Sequence, residues 1–152
     1  MARKRISQSE QETRVLARKL LRDYFGVITD RALLFALRGE LGTGKTVFAK
    51  GIGEALGVRR PVRSPSFVLV AEYPFESGRF FHVDLWRVES EKEVRSLKIE
   101  DMIKPGNVIL IEWVQKMPGF LAELRRRDDL KVVEVRFECK GGNERELRIY
   151  NY

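Results

Sequence analysis

Cysteine is almost absent from this chain of 152 residues: Cys139 is the only one. One thiol cannot close an internal disulfide, and with a single histidine, His82, in the chain no Cys/His spacing for a zinc site exists. This economy suits a reducing compartment, and the chain is expected to be cytoplasmic. Long apolar runs are missing too. The longest, Ala32–Leu37 and Val108–Ile111, fall far short of the roughly 20 residues needed to span a bilayer, so no membrane partner is expected. The basic start, Met1 to Arg5, leads into Ser7, Gln8, Ser9 and Glu10 rather than an apolar stretch, so it lacks the core of a secretion signal and none is expected. Residues 1–8 are accordingly read as a flexible basic tail and 9–152 as a single domain.

Charge, by contrast, is abundant. Lys and Arg outnumber Asp and Glu by 29 to 22, for a net charge of +7. Such a balance attracts polyanions, nucleic acid foremost, although basic residues also simply solvate a surface. The clusters Arg59-Arg60 with Arg63, and Arg125-Arg126-Arg127, have no interleaved aromatics and so do not resemble a base-stacking platform.

Periodicity suggests an α/β order. Ser9 with Glu12 forms a capping-box pattern ahead of Val15, Leu16, Leu20 and Leu21, predicting a helix over roughly Glu10 to Phe25. Ala32–Leu37 reads as a strand buried on both faces, and Lys45–Leu56 as a helix closed by Gly57. Gly51 and Gly53 inside that helix are ascribed to close packing on a sheet. A hairpin is expected from Phe67–Tyr73 and Phe80–Arg87, and a short helix after Ser90. A second buried strand follows over Val108–Val114, then a helix over Pro118–Arg127 and two terminal strands, Lys131–Cys139 and Arg145–Asn151. The fold class is α/β: one P-loop NTPase-like domain with a mixed, mainly parallel central sheet flanked by helices, plus antiparallel hairpin strands.

Between the first buried strand and its helix lies Gly39-Glu40-Leu41-Gly42-Thr43-Gly44-Lys45-Thr46, a match to G-x-x-x-x-G-K-[ST]. Glycines let backbone N–H groups close around phosphate oxygens, and Lys45 supplies a mobile positive charge. Thr46 offers a hydroxyl to Mg²⁺ at the helix N-terminus. A chance match arises on the order of once in 200 chains of this length. Such a loop needs a carboxylate at the end of a neighbouring strand, and Glu112, after Val108–Ile111, fits that place. Strand period puts His82, Asp84 and Trp86 on one face, which is either a polar site or the solvated side of a hairpin. Ser64-Pro65-Ser66 reads as a turn or as a nucleotide-sensing switch. Arg38, Arg63 and Arg87 are all candidates for balancing transition-state charge.

Taken together, the Gly39–Thr46 loop, Ser64-Pro-Ser-Phe67, His82-Val-Asp-Leu-Trp-Arg87 and Ile109-Leu-Ile-Glu-Trp113 resemble the bacterial TsaE (YjeE) family over roughly Ser9 to Val114. The resemblance implies an ATPase subunit for N6-threonylcarbamoyladenosine formation in tRNA. It would act with the TsaD and TsaB proteins and touch tRNA indirectly or weakly. It implies that Lys45 holds phosphates, Thr46 and Glu112 bind Mg²⁺, Asp84 contributes to hydrolysis, and Ser64 to Ser66 form the responsive switch. Trp113 would neighbour ATP, and Glu10 would make a base-side contact. Three positions depart from the family pattern: Ser66 for Thr, Trp86 for Tyr and Val114 for Pro. The residues alone leave two other readings open, a small-molecule P-loop kinase with Arg125–Arg127 in a lid, and a nucleotide-gated tRNA-binding module.

Overall fold

The computed structural model describes residues Met1–Tyr152. Its seven strands are β1 (Arg3–Ser7), β2 (Ala32–Arg38), β3 (Val70–Phe75), β4 (Gly78–Asp84), β5 (Val108–Glu112), β6 (Leu130–Gly141) and β7 (Glu144–Asn151). The helices are α1 (Glu10–Arg22), α2 (Phe25–Ile28), α3 (Lys45–Leu56), α4 (Glu91–Ser96) and α5 (Pro118–Arg125). All strands join one sheet in the order β1-β7-β6-β2-β5-β4-β3. The central block β6-β2-β5-β4 is parallel, and antiparallel pairing is confined to β1–β7, β6–β7 and β3–β4. The expected mixed, mainly parallel sheet is therefore present.

Strand β2 is apolar throughout because the sheet is covered on both sides there. Leu33, Phe35 and Leu37 pack with α1 and α3 in a cluster of 21 buried residues, while Ala32, Leu34 and Ala36 face α4 and α5 in a cluster of 20. Two nearly equal cores leave no polar face on the central strand. Edge-to-face contacts of Phe48 with Phe35 (5.8 Å) and Phe137 (5.6 Å) lock α3 onto the first core.

Both capping boxes form: Glu12 N–H donates to Ser9 Oγ at 3.1 Å and Glu93 N–H to Ser90 Oγ at 3.2 Å. Elsewhere the boundaries move for visible reasons. β3 starts at Val70 rather than Phe67, because Pro65 O accepts Val68 N–H and Leu69 N–H in a turn that leaves Leu69 at φ 67°. β4 stops at Asp84 rather than Arg87, since Asp84 Oδ1 accepts Trp86 N–H at 2.8 Å and bends the chain away. β5 stops at Glu112 because Trp113 is left-handed, φ 63°.

The basic N-terminus is corrected more fully. Arg3–Ser7 is not a tail but an edge strand, antiparallel to β7. Lys4 Nζ donates to Glu146 Oε2 at 2.8 Å, and Arg148 Nε donates to Glu146 Oε1 at 2.5 Å, so the positive charge of the segment has a fixed partner. These two bonds hold the Glu146 carboxyl at about 2, below its ordinary 4.5.

Gly51 is also reassigned. It allows close approach of two helices, not of helix and sheet: a Cβ there would lie 2.7 Å from Arg14 O and 2.8 Å from Ala17 Cβ, both on α1. Gly53 likewise faces Val62, at 2.4 Å from its Cγ2, in the segment after α3.

Two outcomes follow from these contacts. Gly51→Ala should destabilise the protein by about 1–2 kcal/mol in urea denaturation, because overpacking against helix backbone outweighs a propensity gain of about 1 kcal/mol. The contribution of the depressed Glu146 carboxyl is complete above pH 4.5 and lost as pH falls towards about 2. Denaturation midpoints of wild type and Glu146→Gln should therefore differ at pH 7 and converge in acid.

Candidate functional site

The carboxyl ends of the parallel strands carry the chemistry. Register pairs Leu37 with Glu112 and Asp84 with Glu112, so the start of the glycine loop and two acids sit at one level across β2, β5 and β4. Ligands of open α/β sheets bind outside these strand ends. Here a cleft of about 660 Å³ opens between the loop, the N-terminus of α1 and the β6–β7 turn.

Gly42 (φ 74°) and Gly44 (φ 101°) turn the loop through left-handed conformations closed to most side chains, which brings α3 in with its N-terminus towards the cleft. Leu41, Gly42, Gly44, Lys45 and Thr46 line the cleft. Three loop residues do not. Thr43 is buried, its hydroxyl donating to Glu40 O at 2.8 Å, and Gly39 and Glu40 line a groove on the opposite side with Arg38 and Gln115. Their carbonyls nonetheless serve the site, because Lys45 Nζ donates to Gly39 O at 2.7 Å and Glu40 O at 2.6 Å. The ammonium also lies 4.3 Å from the centre of the Trp113 ring, itself 4.4 Å from Trp86. Burial pushes the Lys45 pKa down, and the charges of Glu112, Asp84 and Glu40 partly restore it.

Glu112 is the hub. Its Oε1 accepts the Thr46 hydroxyl at 2.9 Å and hydrogen-bonds His82 Nε2 at 2.8 Å. His82 is 0% exposed and absent from the cleft lining: the histidine is an interior, hydrogen-bonded residue, as a lone histidine more often is, and stands behind the acid rather than on a solvated hairpin face. Asp84 does reach the cleft, where its Oδ2 accepts the Ser66 hydroxyl at 3.0 Å, and Ser66 in turn meets Ser64 at 2.7 Å. The Ser64–Ser66 segment is thereby tied to an acid of the cleft.

Thr46, Glu112 and Asp84 present only oxygen, the donor set of a hard cation such as Mg²⁺. A cation held by so few side chains would retain much of its water, which is the habit of Mg²⁺.

Of the three arginine candidates only Arg87 lines the cleft. Arg38 lies on the other side of the sheet with its Nε 3.2 Å from Glu134 Oε1, and Arg63 lines a separate groove beside α3. The Arg125–Arg127 run is no lid either. Arg125 pairs with Glu134, and Arg127 with Asp129 at 2.9 Å, away from the cleft. Glu10 lines the cleft as expected, joined by Ser9 and Thr13, which sequence reading passed over. Asn143 and Arg145 were missed outright. Nothing local signals them, since only the pairing of β7 between β6 and β1 carries that turn to the loop.

The bond between His82 and Glu112 makes a specific stability prediction. His82→Phe keeps the ring volume but removes the charged hydrogen bond to buried Glu112, and should cost about 1.5–3 kcal/mol in chemical denaturation. Adding Glu112→Gln should recover part of that loss, giving a non-additive double-mutant cycle.

Comparison with known proteins places the whole chain in a family. A family model described as "Threonylcarbamoyl adenosine biosynthesis protein TsaE" matches residues 7–147. A tRNA threonylcarbamoyladenosine biosynthesis protein TsaE from Aquifex aeolicus is 33% identical over 147 residues, 95% of this chain and 93% of that protein. Similarly named proteins from Haemophilus influenzae and Bacillus subtilis are 35% and 34% identical, with matches spanning 62% and 75% of this chain and 60% and 66% of theirs. The crystal structure of B. subtilis YdiB superposes with a TM-score of 0.67 at 26% identity, covering 98% of this chain and 84% of that one.

Proposed function

The chain belongs to the TsaE family of threonylcarbamoyl adenosine biosynthesis proteins, and on that premise we propose that it is the Mg²⁺-dependent ATPase subunit serving tRNA threonylcarbamoyladenosine formation. The observation that carries the hydrolytic reading is the convergence of Lys45, Thr46, Asp84 and Glu112 on one cleft, from three separate stretches of chain. In this reading the N–H groups of the Gly42–Thr46 backbone and the α3 N-terminus hold the phosphates of ATP. Lys45 leaves the Gly39 and Glu40 carbonyls to meet the terminal phosphates.

Thr46 and Glu112 would hold Mg²⁺, which supplies charge neutralisation at the phosphates. His82 keeps the Glu112 carboxylate aimed. Asp84 orients the attacking water and, through Ser66, ties the Ser64–Ser66 switch to the state of the nucleotide. Arg87 and Arg145 are the cations available to developing charge. Glu10, Ser9 and Thr13 border the outer part of the cleft, the side left for the base and ribose. The single site without an arginine lid suits an enzyme that is slow alone.

Partner dependence has its own support. Leu41, Phe67 and Trp86 line the cleft, and Val68 adjoins it; all are exposed, Phe67 by 85%. Apolar side chains rimming an active cleft are the surface a partner protein would cover. TsaD and TsaB are the partners proposed, in the cytoplasm; no helix is long and apolar enough to cross a membrane.

Reconstitution tests the reading. With ATP, Mg²⁺, TsaD, TsaB, tRNA and the threonylcarbamoyl donor, the wild type should sustain many rounds of modification. Lys45→Ala and Asp84→Asn should lower ATP turnover about 10²- to 10³-fold, the Asp84 variant with nucleotide affinity retained. Undiminished multi-turnover modification by Lys45→Ala would falsify it.

A further inference from the structure

Compensation of positive charge differs from one face of the molecule to another. On the far face of the sheet, basic residues are matched to buried acids: Arg38, Arg125 and Arg136 surround Glu134, and Lys4, Lys140 and Arg148 surround Glu146. Beside α3 the situation is reversed. A groove of about 400 Å³ runs between α1, α3 and the segment that follows α3. Lys50, Arg59, Arg60 and Arg63 line it, and none of them has a carboxylate partner within 4.0 Å. The one acid present, Glu54, is already shared by Arg14 and Arg18.

We propose that this groove binds the phosphate backbone of RNA. Four unpaired cations along one groove form an electrostatic footprint for a chain of phosphates. Arg60 is held in place, with a bond to Glu72 O and its guanidinium 4.8 Å from the centre of the Tyr73 ring, which lowers the ordering cost of using it. A protein partner is the poorer fit. The only apolar aliphatic side chains in the lining besides Pro61 are Val58 and Val62, and Val62 is buried, so the groove lacks the apolar centre of a protein interface. Absence of exposed aromatics in the groove points to backbone contact rather than base stacking.

Position gives the groove a consequence. Arg63 is followed directly by Ser64-Pro65-Ser66, and Ser66 is bonded to Asp84 in the cleft. RNA seated on Arg59–Arg63 would bear on the same short segment that contacts the nucleotide site, so that RNA and ATP occupancy become linked. The choice of RNA rests on the tRNA-linked function proposed above; the charge distribution does not.

The test is fluorescence anisotropy of labelled tRNA with the full chain, from 50 to 200 mM salt. Losing about 0.7 in log–log slope per phosphate contact, four contacts predict that wild type weakens about 50-fold over this range. The variant Lys50→Gln/Arg59→Gln/Arg63→Gln retains one contact and should weaken only about threefold, from a lower starting affinity. Lys92→Gln/Lys98→Gln/Lys104→Gln, which removes the same number of exposed charges elsewhere, should follow the wild type. Melting curves confirm that each variant is folded. Unchanged tRNA affinity and slope in the groove triple variant overturns the proposal, as does tighter binding of polyglutamate than of tRNA by the wild type. ATP hydrolysis by the wild-type chain, measured in parallel, separates the two ideas: hydrolysis without groove-dependent RNA binding overturns the groove alone.

Discussion

A carboxylate removed from water must be met by donors, and Glu112 is met by two on one oxygen. Thr46 reaches it from the start of α3 and His82 from within β4, so that buried oxygen links both elements to the end of β5. The glycine loop is consequently not a free surface turn. Its downstream end is fixed by Thr46, and its upstream carbonyls, Gly39 and Glu40, are fixed by Lys45. Remove Glu112 and both the helix start and the interior histidine lose their common partner, which is why this acid matters to the fold as much as to any cation.

The same arrangement explains the resting position of Lys45. Its ammonium is buried and desolvated, yet it keeps two carbonyl acceptors and the face of Trp113, so its charge is not stranded. Trp113, held at positive φ, is the cost of turning the chain directly after Glu112 and of laying an indole over the lysine.

Charge is divided just as deliberately. Glu134 and Glu146 convert six basic side chains of the far sheet face into structural pairs, and one of those pairs fastens β1 to the sheet edge. What remains of the excess includes the groove next to the Ser64–Ser66 segment, which is tied to Asp84 in the cleft. A net charge of +7 is therefore a poor guide to where a polyanion would sit unless the internal pairs are first subtracted.

Much of this was legible beforehand. The loop motif, the two capping boxes, the continuously apolar strands and the bounds of α3 are local patterns, because helix starts, glycine turns and buried strands are dictated by neighbouring residues in the chain. Order and spacing of the motifs also sufficed to indicate the family. Strand ends at Phe67, Arg87 and Val114 were misjudged because a side-chain bond from Asp84 and left-handed residues at Leu69 and Trp113 override propensity. The sequence by itself determined which residues could bind phosphate and cation. Only the tertiary structure decided that Arg3–Ser7 is a strand, that His82 stands behind Glu112, that Arg145 joins the cleft while Arg38 does not, and that Gly51 serves helix-to-helix contact. Each of those depends on partners distant in the chain, Glu146, Glu112, the sheet order and Ala17 among them, and no local pattern of residue types encodes which distant group a side chain will meet.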